Sequence, residues 1–261
     1  MKRIARFETE AALCTEFLAW VKRSAGERVY GVVTPAWVAY AETAGWDVLL
    51  VAPDGTQIGV QAKLRFNLKV LAQSLPEQWS EWHDRGPDYR AVLVPDYDGE
   101  AERLCAALGL MLISRRGDEW TPEGIVPQFG PGLDMEHGRG GWHYWSPSER
   151  CKLPEFVPDV PAGASGPVQL TTWKVAALRV IALLELRGHV TRKDFADLRL
   201  DSRRWTGPSG WLLASGTPGQ YLRGPELRFD QQHPQVYAEV LTEMREKLED
   251  QQRQLDAEVS P

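Results

Sequence analysis

Cysteine is scarce in this sequence: Cys14, Cys105 and Cys151 are the three among 261 residues, odd in number and far apart. That pattern argues against a disulfide scaffold and predicts reduced core thiols of a cytoplasmic protein. The five histidines bring no CxxC or HxxxH spacing, which removes the usual structural zinc sites. No apolar run approaches the ~18 residues a membrane-spanning helix needs. The basic start Met1-Lys2-Arg3-Ile4-Ala5-Arg6 lacks a continuous apolar core behind it, so neither secretion nor a membrane partner is expected. Positive charge is not in excess either: the formal net charge of −6 argues against a generic nucleic-acid binder. What is present is an ordinary globular composition, 43% hydrophobic and 25% charged, in a chain long enough for two domains.

The most informative stretch is Gly45-Trp46-Asp47-Val48-Leu49-Leu50-Val51, the turn Pro53-Asp54-Gly55-Thr56, and Ile58-Gly59-Val60-Gln61-Ala62-Lys63. It reads as two strands joined by a tight turn, with Asp47 starting the first and Gln61-Ala62-Lys63 ending the second. Charged groups at the ends of apolar strands are costly to bury without partners, so a metal or a substrate becomes a reason for them. A three-residue loop centred on Gly55 puts Asp47 opposite Lys63 and Leu49 opposite Gln61, all on one face. A two-residue Asp54-Gly55 turn puts Asp47 and Lys63 on opposite faces unless a bulge restores the parity.

Around this hairpin the patterning predicts a helix over Glu8–Ser24, another over Asn67–Leu75, a strand at Tyr89–Val94, a helix over Glu100–Leu108 and a strand at Leu110–Ile113. With Asp47 and Gln61-Ala62-Lys63, that order resembles the PD-(D/E)xK, or restriction-endonuclease-like, nuclease superfamily over roughly residues 7 to 115. Gln61 stands where an acid is usual, as in the Mrr-like restriction branch and the TnsA-like transposon nucleases. The resemblance implies an α/β fold, a restriction-endonuclease-like mixed central sheet flanked by helices. It also implies a glutamate from the first helix. Glu10 shares a stripe with Leu13, Cys14 and Phe17 and comes first; Glu16 is second and Glu42 third.

The same resemblance implies a Mg²⁺-dependent DNA endonuclease, with Mn²⁺ able to substitute. Asp47, Glu10, Gln61 and the main-chain carbonyl of Ala62 would hold the metal. Lys63 would orient the attacking water or stabilise charge in the transition state, and Gln61 would hold a metal-bound water. A neutral amide is a weaker cation ligand than a carboxylate, so a catalytically silent DNA-binding or regulatory protein of the same fold stays open.

Composition shifts after residue 120. Residues 1–120 form the nuclease-like domain, and residues 121–167, punctuated by Pro and Gly, read as a linker or irregular connection. Within it Trp142, Tyr144 and Trp145 could stack on bases or pin the segment to a domain surface, the second being favoured. Residues 168–261 begin anew, with Thr171 capping a long helix ended by Gly188 and Thr191 capping a helix over Arg192–Leu198. Arg203-Arg204-Trp205 with Trp211-Leu212-Leu213 read as a third helical region, and Gly219–Phe229 as a two-stranded wing. Three helices then a hairpin resemble a winged helix, giving a mainly α winged-helix-like C-terminal domain. Residues 168–232 hold ten Lys or Arg against six acids, a net of +4, which could form a basic face despite the acidic total. Arg203, Arg204 and Arg223 are the candidate DNA contacts. The acidic helix-prone end, Val236 to Leu255, packs on the core or mediates a homodimer, and the nuclease-then-winged-helix order resembles TnsA-like nucleases that need partner proteins.

Overall fold

A computed structural model of the chain describes residues 7–29, 31–76, 85–116, 119–122, 124–127, 142–163, 170–207 and 210–259. Residues 137–141 of the Gly/aromatic stretch and 164–169 of the expected connection lie outside these. The chain divides into two compact units, 1–167 and 168–261. Among the described residues no helix is long and apolar enough to cross a membrane.

The first unit runs α1 (Glu10–Arg23), β1 (Arg28–Val29), β2 (Val32–Val33), β3 (Val38–Thr43), β4 (Trp46–Val51), β5 (Gln57–Ala62), α2 (Leu68–Ser74), β6 (Tyr89–Val94), α3 (Gly99–Ala107), β7 (Met111–Arg116) and β8 (Glu119–Thr121). β1 and β2 form a small hairpin, and β3 to β8 form a six-stranded mixed sheet in chain order. β5, β6 and β7 are parallel and the flanking pairs antiparallel. The sheet is flanked by helices, giving a mixed α/β unit. β3 and β8 add two strands to those the sequence pattern predicts.

α1 begins where Thr9 accepts a hydrogen bond from Ala12 N at 3.1 Å. Its Leu13, Cys14 and Phe17 are fully buried. Burial of Leu13 and Phe17 stabilises the docked helix by roughly 1.5–3 kcal/mol each, which fixes Glu10 one turn earlier. α2 and α3 pack Val70, Leu71, Ala101 and Cys105 against Val92 and Val94 of β6 and Leu112 of β7. Residues 142–163 lie on this unit as irregular chain. Trp142 and Tyr144 meet Tyr89 with ring centroids at 6.0 and 5.6 Å, and Trp145 donates its Nε1–H to the Gly109 carbonyl. Gln57 and the Cys151 main chain exchange two hydrogen bonds of 2.9 Å.

The second unit comprises α4 (Thr172–Arg187), β9 (Val190–Thr191), α5 (Arg192–Asp197), α6 (Arg203–Thr206), β10 (Leu212–Ala214), β11 (Gln220–Arg223), α7 (Phe229–Gln232) and α8 (Pro234–Val259). Thr171 caps α4 through Lys174 N, and Gly188 ends it in the left-handed region at φ 79°. Residues 212–214 form a strand rather than part of a helix, and the hairpin is β10–β11 rather than a pair within 219–229. The reason is local: Gly219 takes φ 80° in the β10–β11 turn, whereas Pro225, lacking an N–H, follows Gly224 and ends β11. β9 adds to the far edge of β11. Trp205 and Phe195 are buried. α8 buries Val236, Val240 and Met244, while Leu255 near its end is 56% exposed.

Candidate active site

The loop between β4 and β5 has three residues, as one of the two sequence readings required, but it closes one residue earlier. Gly55 N donates to Ala52 O at 2.9 Å, Thr56 N donates to Asp54 Oδ1 at 2.9 Å, and Gly55 sits at φ 84°. A type I turn followed by a left-handed glycine is a common way to close such a hairpin. The loop is therefore Pro53-Asp54-Gly55, and Leu49 pairs with Gly59, not with Gln61. Continued, that register would set Asp47 opposite Gln61 rather than Lys63.

Asp47 nevertheless reaches Lys63, because β4 breaks its alternation at its start. Trp46 packs in one cluster with Leu49 and Val51, a spacing that strict alternation forbids. The indole lies over Gly59, where an added Cβ would stand 2.4 Å from the ring. Beyond the last ladder pair, Val48 with Val60, the Asp47 carboxylate accepts the Ala62 N–H at 2.7 Å. The turn before it is equally unusual. Ala44 and Gly45 take φ 54° and 83°, the two positive values that a type I′ turn demands, and Glu42 takes φ 50° within β3. A non-glycine residue there costs about 1–2 kcal/mol, so two of them beside Asp47 mark a strained corner.

Three charged groups from separate elements meet at this corner. Lys63 Nζ donates to Glu10 Oε2 at 2.7 Å and to the Ala62 carbonyl at 2.8 Å, and stands 4.0 Å from Asp47 Oδ2. The Lys63 and Asp47 side chains are each 18% exposed and Glu10 32%, so the cluster opens to solvent. Burial pushes the Asp47 carboxyl above its usual range and the Glu10 charge adds to that, while the Ala62 N–H and Lys63 pull it back. The buried Cys14 thiol beneath is pushed up to about 12, first by burial and then by the carboxylates of Asp47, Glu42 and Glu10.

Gln61, 3% exposed, donates its side-chain amide to the Gly45 carbonyl at 2.6 Å. Its amide thus clasps the corner that carries Asp47 and is not bonded to Glu10, Asp47 or Lys63. Glu16 pairs with Arg115 and stays apart from the cluster. Glu42 faces Asp47 across β3–β4 in the register of that pair, and its Oε1 accepts Gly163 N at 2.7 Å. The chain at Gly163 also packs on the start of α1: a Cβ there would meet Glu10 and Ala11 at 3.1 Å. Neither the contact of the irregular segment with Glu42 and α1 nor the strain at Glu42 was foreseen from the sequence; the Ala44-Gly45 pair lacks the Asn-Gly or Asp-Gly signature that would have flagged the turn.

Among the described residues no group of three or more His, Cys, Asp or Glu side chains is placed to hold a metal ion. The oxygens the sequence assigned to a cation are instead gathered round an ammonium. In donor type they fit a hard cation, being two carboxylates and a carbonyl that already stabilise positive charge at one point.

The candidate DNA contacts lie in the second unit. Arg203 on α6 is 89% exposed and forms a bidentate pair with Asp201, its Nη2 at 2.9 Å from Oδ2. Arg204 beside it is exposed. Arg223 on β11 is held by Asp230 and the Leu227 carbonyl, all at 2.8 Å. In comparisons with family models, with curated proteins and with solved structures, nothing matches this chain.

Proposed function

We propose that the protein is a Mg²⁺-dependent DNA endonuclease of the restriction-endonuclease-like type, acting at the corner of Glu10, Asp47 and Lys63. The observation that carries this reading is the meeting of those three side chains, drawn from α1, β4 and the end of β5, within 4.0 Å of one Nζ. Charged groups are not brought together at a half-buried strand end without a stabilising use, since each desolvated charge costs free energy.

Asp47, Glu10 and the Ala62 carbonyl would hold the cation. Bound there, it would supply Lewis-acid polarisation of a phosphate oxygen and a water of lowered pKa. Lys63, on its flexible stem, would place a positive charge against the phosphoryl group as negative charge builds. Gln61 would position rather than ligate, holding Gly45 and so the start of β4. The second unit supports a winged-helix-like reading by its order: helix, strand, two helices, two strands, with the first strand paired to the last. Arg203 and Arg204 on α6 would then meet DNA, and Arg223 would do so after parting from Asp230.

A second reading draws on the pairing of Lys63 with Glu10 and on the absence of a three-acid group among the described residues: a DNA-binding protein that retains the fold and cuts poorly, or a TnsA-like nuclease that needs partner proteins. Incubating wild type, Asp47→Asn and Lys63→Ala with supercoiled and linear DNA in Mg²⁺ or Mn²⁺ separates them. Cleavage by wild type alone supports the endonuclease. Equal activity of all three proteins removes the assignment, and salt-sensitive binding without cleavage favours the silent form.

A further inference from the structure

We propose that the Lys63 ammonium is the resting occupant of the cation position, and that a divalent ion and this ammonium exchange at one point. The inference rests on the nuclease reading of the same corner.

Lys63 Nζ lies 2.7 Å from Glu10 Oε2, 2.8 Å from the Ala62 carbonyl and 4.0 Å from Asp47 Oδ2, and these are the oxygens on which the cation reading depends. Two cations cannot share them. A divalent ion draws its oxygens closer than an ammonium does, which leaves no contact distance for Nζ inside the same set. The charge balance also favours exchange. Glu10 and Asp47 carry two negative charges when ionised, the Glu42 carboxylate lies close enough to act on the same Cys14 thiol, and Lys63 supplies one positive charge in return. The exchange keeps the two carboxylates paired with a positive charge throughout, and the pair opens to solvent on the Glu10 side, whose side chain is 32% exposed, so water can take up the displaced ammonium. The side chain that leaves is a four-carbon stem with a compact charge at its tip, able to turn outward toward an arriving anion. Cation entry thereby releases a positive charge beside the point where a phosphate would sit, so Lys63 is silent without the ion and armed with it.

Limited acylation of the intact wild-type protein with acetic anhydride, read lysine by lysine by mass spectrometry, tests this without any activity. With saturating Ca²⁺ as the probe, Lys63 is expected to react about fivefold faster or more than in chelator, as a lysine freed from its ion pair. Lys193, whose side chain is 86% exposed, serves as the unchanged control. Calorimetric titration should show Lys63→Met, and separately Lys63→Gln, binding Ca²⁺ about five- to tenfold more tightly than wild type. Unchanged or slower acylation of Lys63 in the Ca²⁺-saturated protein overturns the exchange, as does unimproved binding by both folded variants. A protein that cuts DNA in Mg²⁺ but fails these tests keeps the nuclease reading and loses only the exchange. One in which wild type and both variants bind no divalent ion loses both.

Discussion

The corner of β4 and β5 and the short helix α6 both carry charged side chains singled out by the sequence, yet they are built in opposite ways. At the corner, Glu10, Asp47 and Lys63 come from positions up to 53 residues apart and are held by buried supports: Leu13 and Phe17 under α1, Trp46 over Gly59, and the Gln61 amide on Gly45. On α6, Arg203 is almost fully exposed and its partner Asp201 is two residues away. The first arrangement is preorganised, with its cost already met by surrounding packing. The second is a local surface pair that water and salt can loosen. Chemistry that depends on geometry within tenths of an ångström suits the first, and adaptable contact with a charged backbone suits the second.

Substitutions at the two regions should therefore differ in kind. Lys63→Ala is expected to lower DNA cleavage by about 10²–10³-fold while leaving DNA affinity nearly unchanged, measured by cleavage rate and gel shift side by side. A parallel loss of affinity would place Lys63 in binding instead. Gly59→Val should sharpen the structural half of the contrast. Its side chain enters the Trp46 ring, so a loss of roughly 1–3 kcal/mol in denaturant unfolding is expected, together with loss of cleavage as the Asp47 corner shifts. Arg204→Ala should weaken DNA binding several-fold and reduce the slope of log K against log salt by about 1, with the cleavage rate at saturating DNA unchanged.

The smallest effect is one of pH. Asp47 is pushed above its unfolded range by burial, so the folded state binds its proton more tightly than the unfolded state. Between the two pKa values the native form holds more protons, and its stability falls as pH rises through that window, then levels off above the folded value. Asp47→Asn removes this dependence. The metal-free variant should gain on wild type across the window by about 1 kcal/mol or less, read from urea midpoints at a series of pH values. A gap that grows as pH falls would reverse the assigned cause.

Much of the first unit was legible because its signals are local. The stripe Leu13, Cys14 and Phe17 marks the buried face of α1, Asn67 caps α2, and Tyr89–Val94 is an apolar run bounded by turns. That Glu10 faces the sheet followed from that stripe, but its ion pair with Lys63 did not, since the sequence set Glu10 to hold a cation and Asp47 opposite Lys63. The register did not, since Asp54 and Gly55 permit several loops and the choice rests on the Gly55–Ala52 hydrogen bond. Nor did β3, whose strand ends in a turn with Ala44 in the left-handed region, a conformation that no sequence rule assigns to alanine. Gln61 was read as a substitute for an acid. Its amide N–H also donates to the Gly45 carbonyl, a hydrogen bond that a carboxylate, lacking an N–H, could not make.

The most direct measurement is anomalous diffraction from crystals of wild-type protein grown with Mn²⁺. A single peak bonded to Asp47, Glu10 and the Ala62 carbonyl, with the Lys63 ammonium turned away, is the expected result. Lys63 still bound to Glu10, with no Mn²⁺ at this corner in a protein that nonetheless cuts DNA, would contradict it.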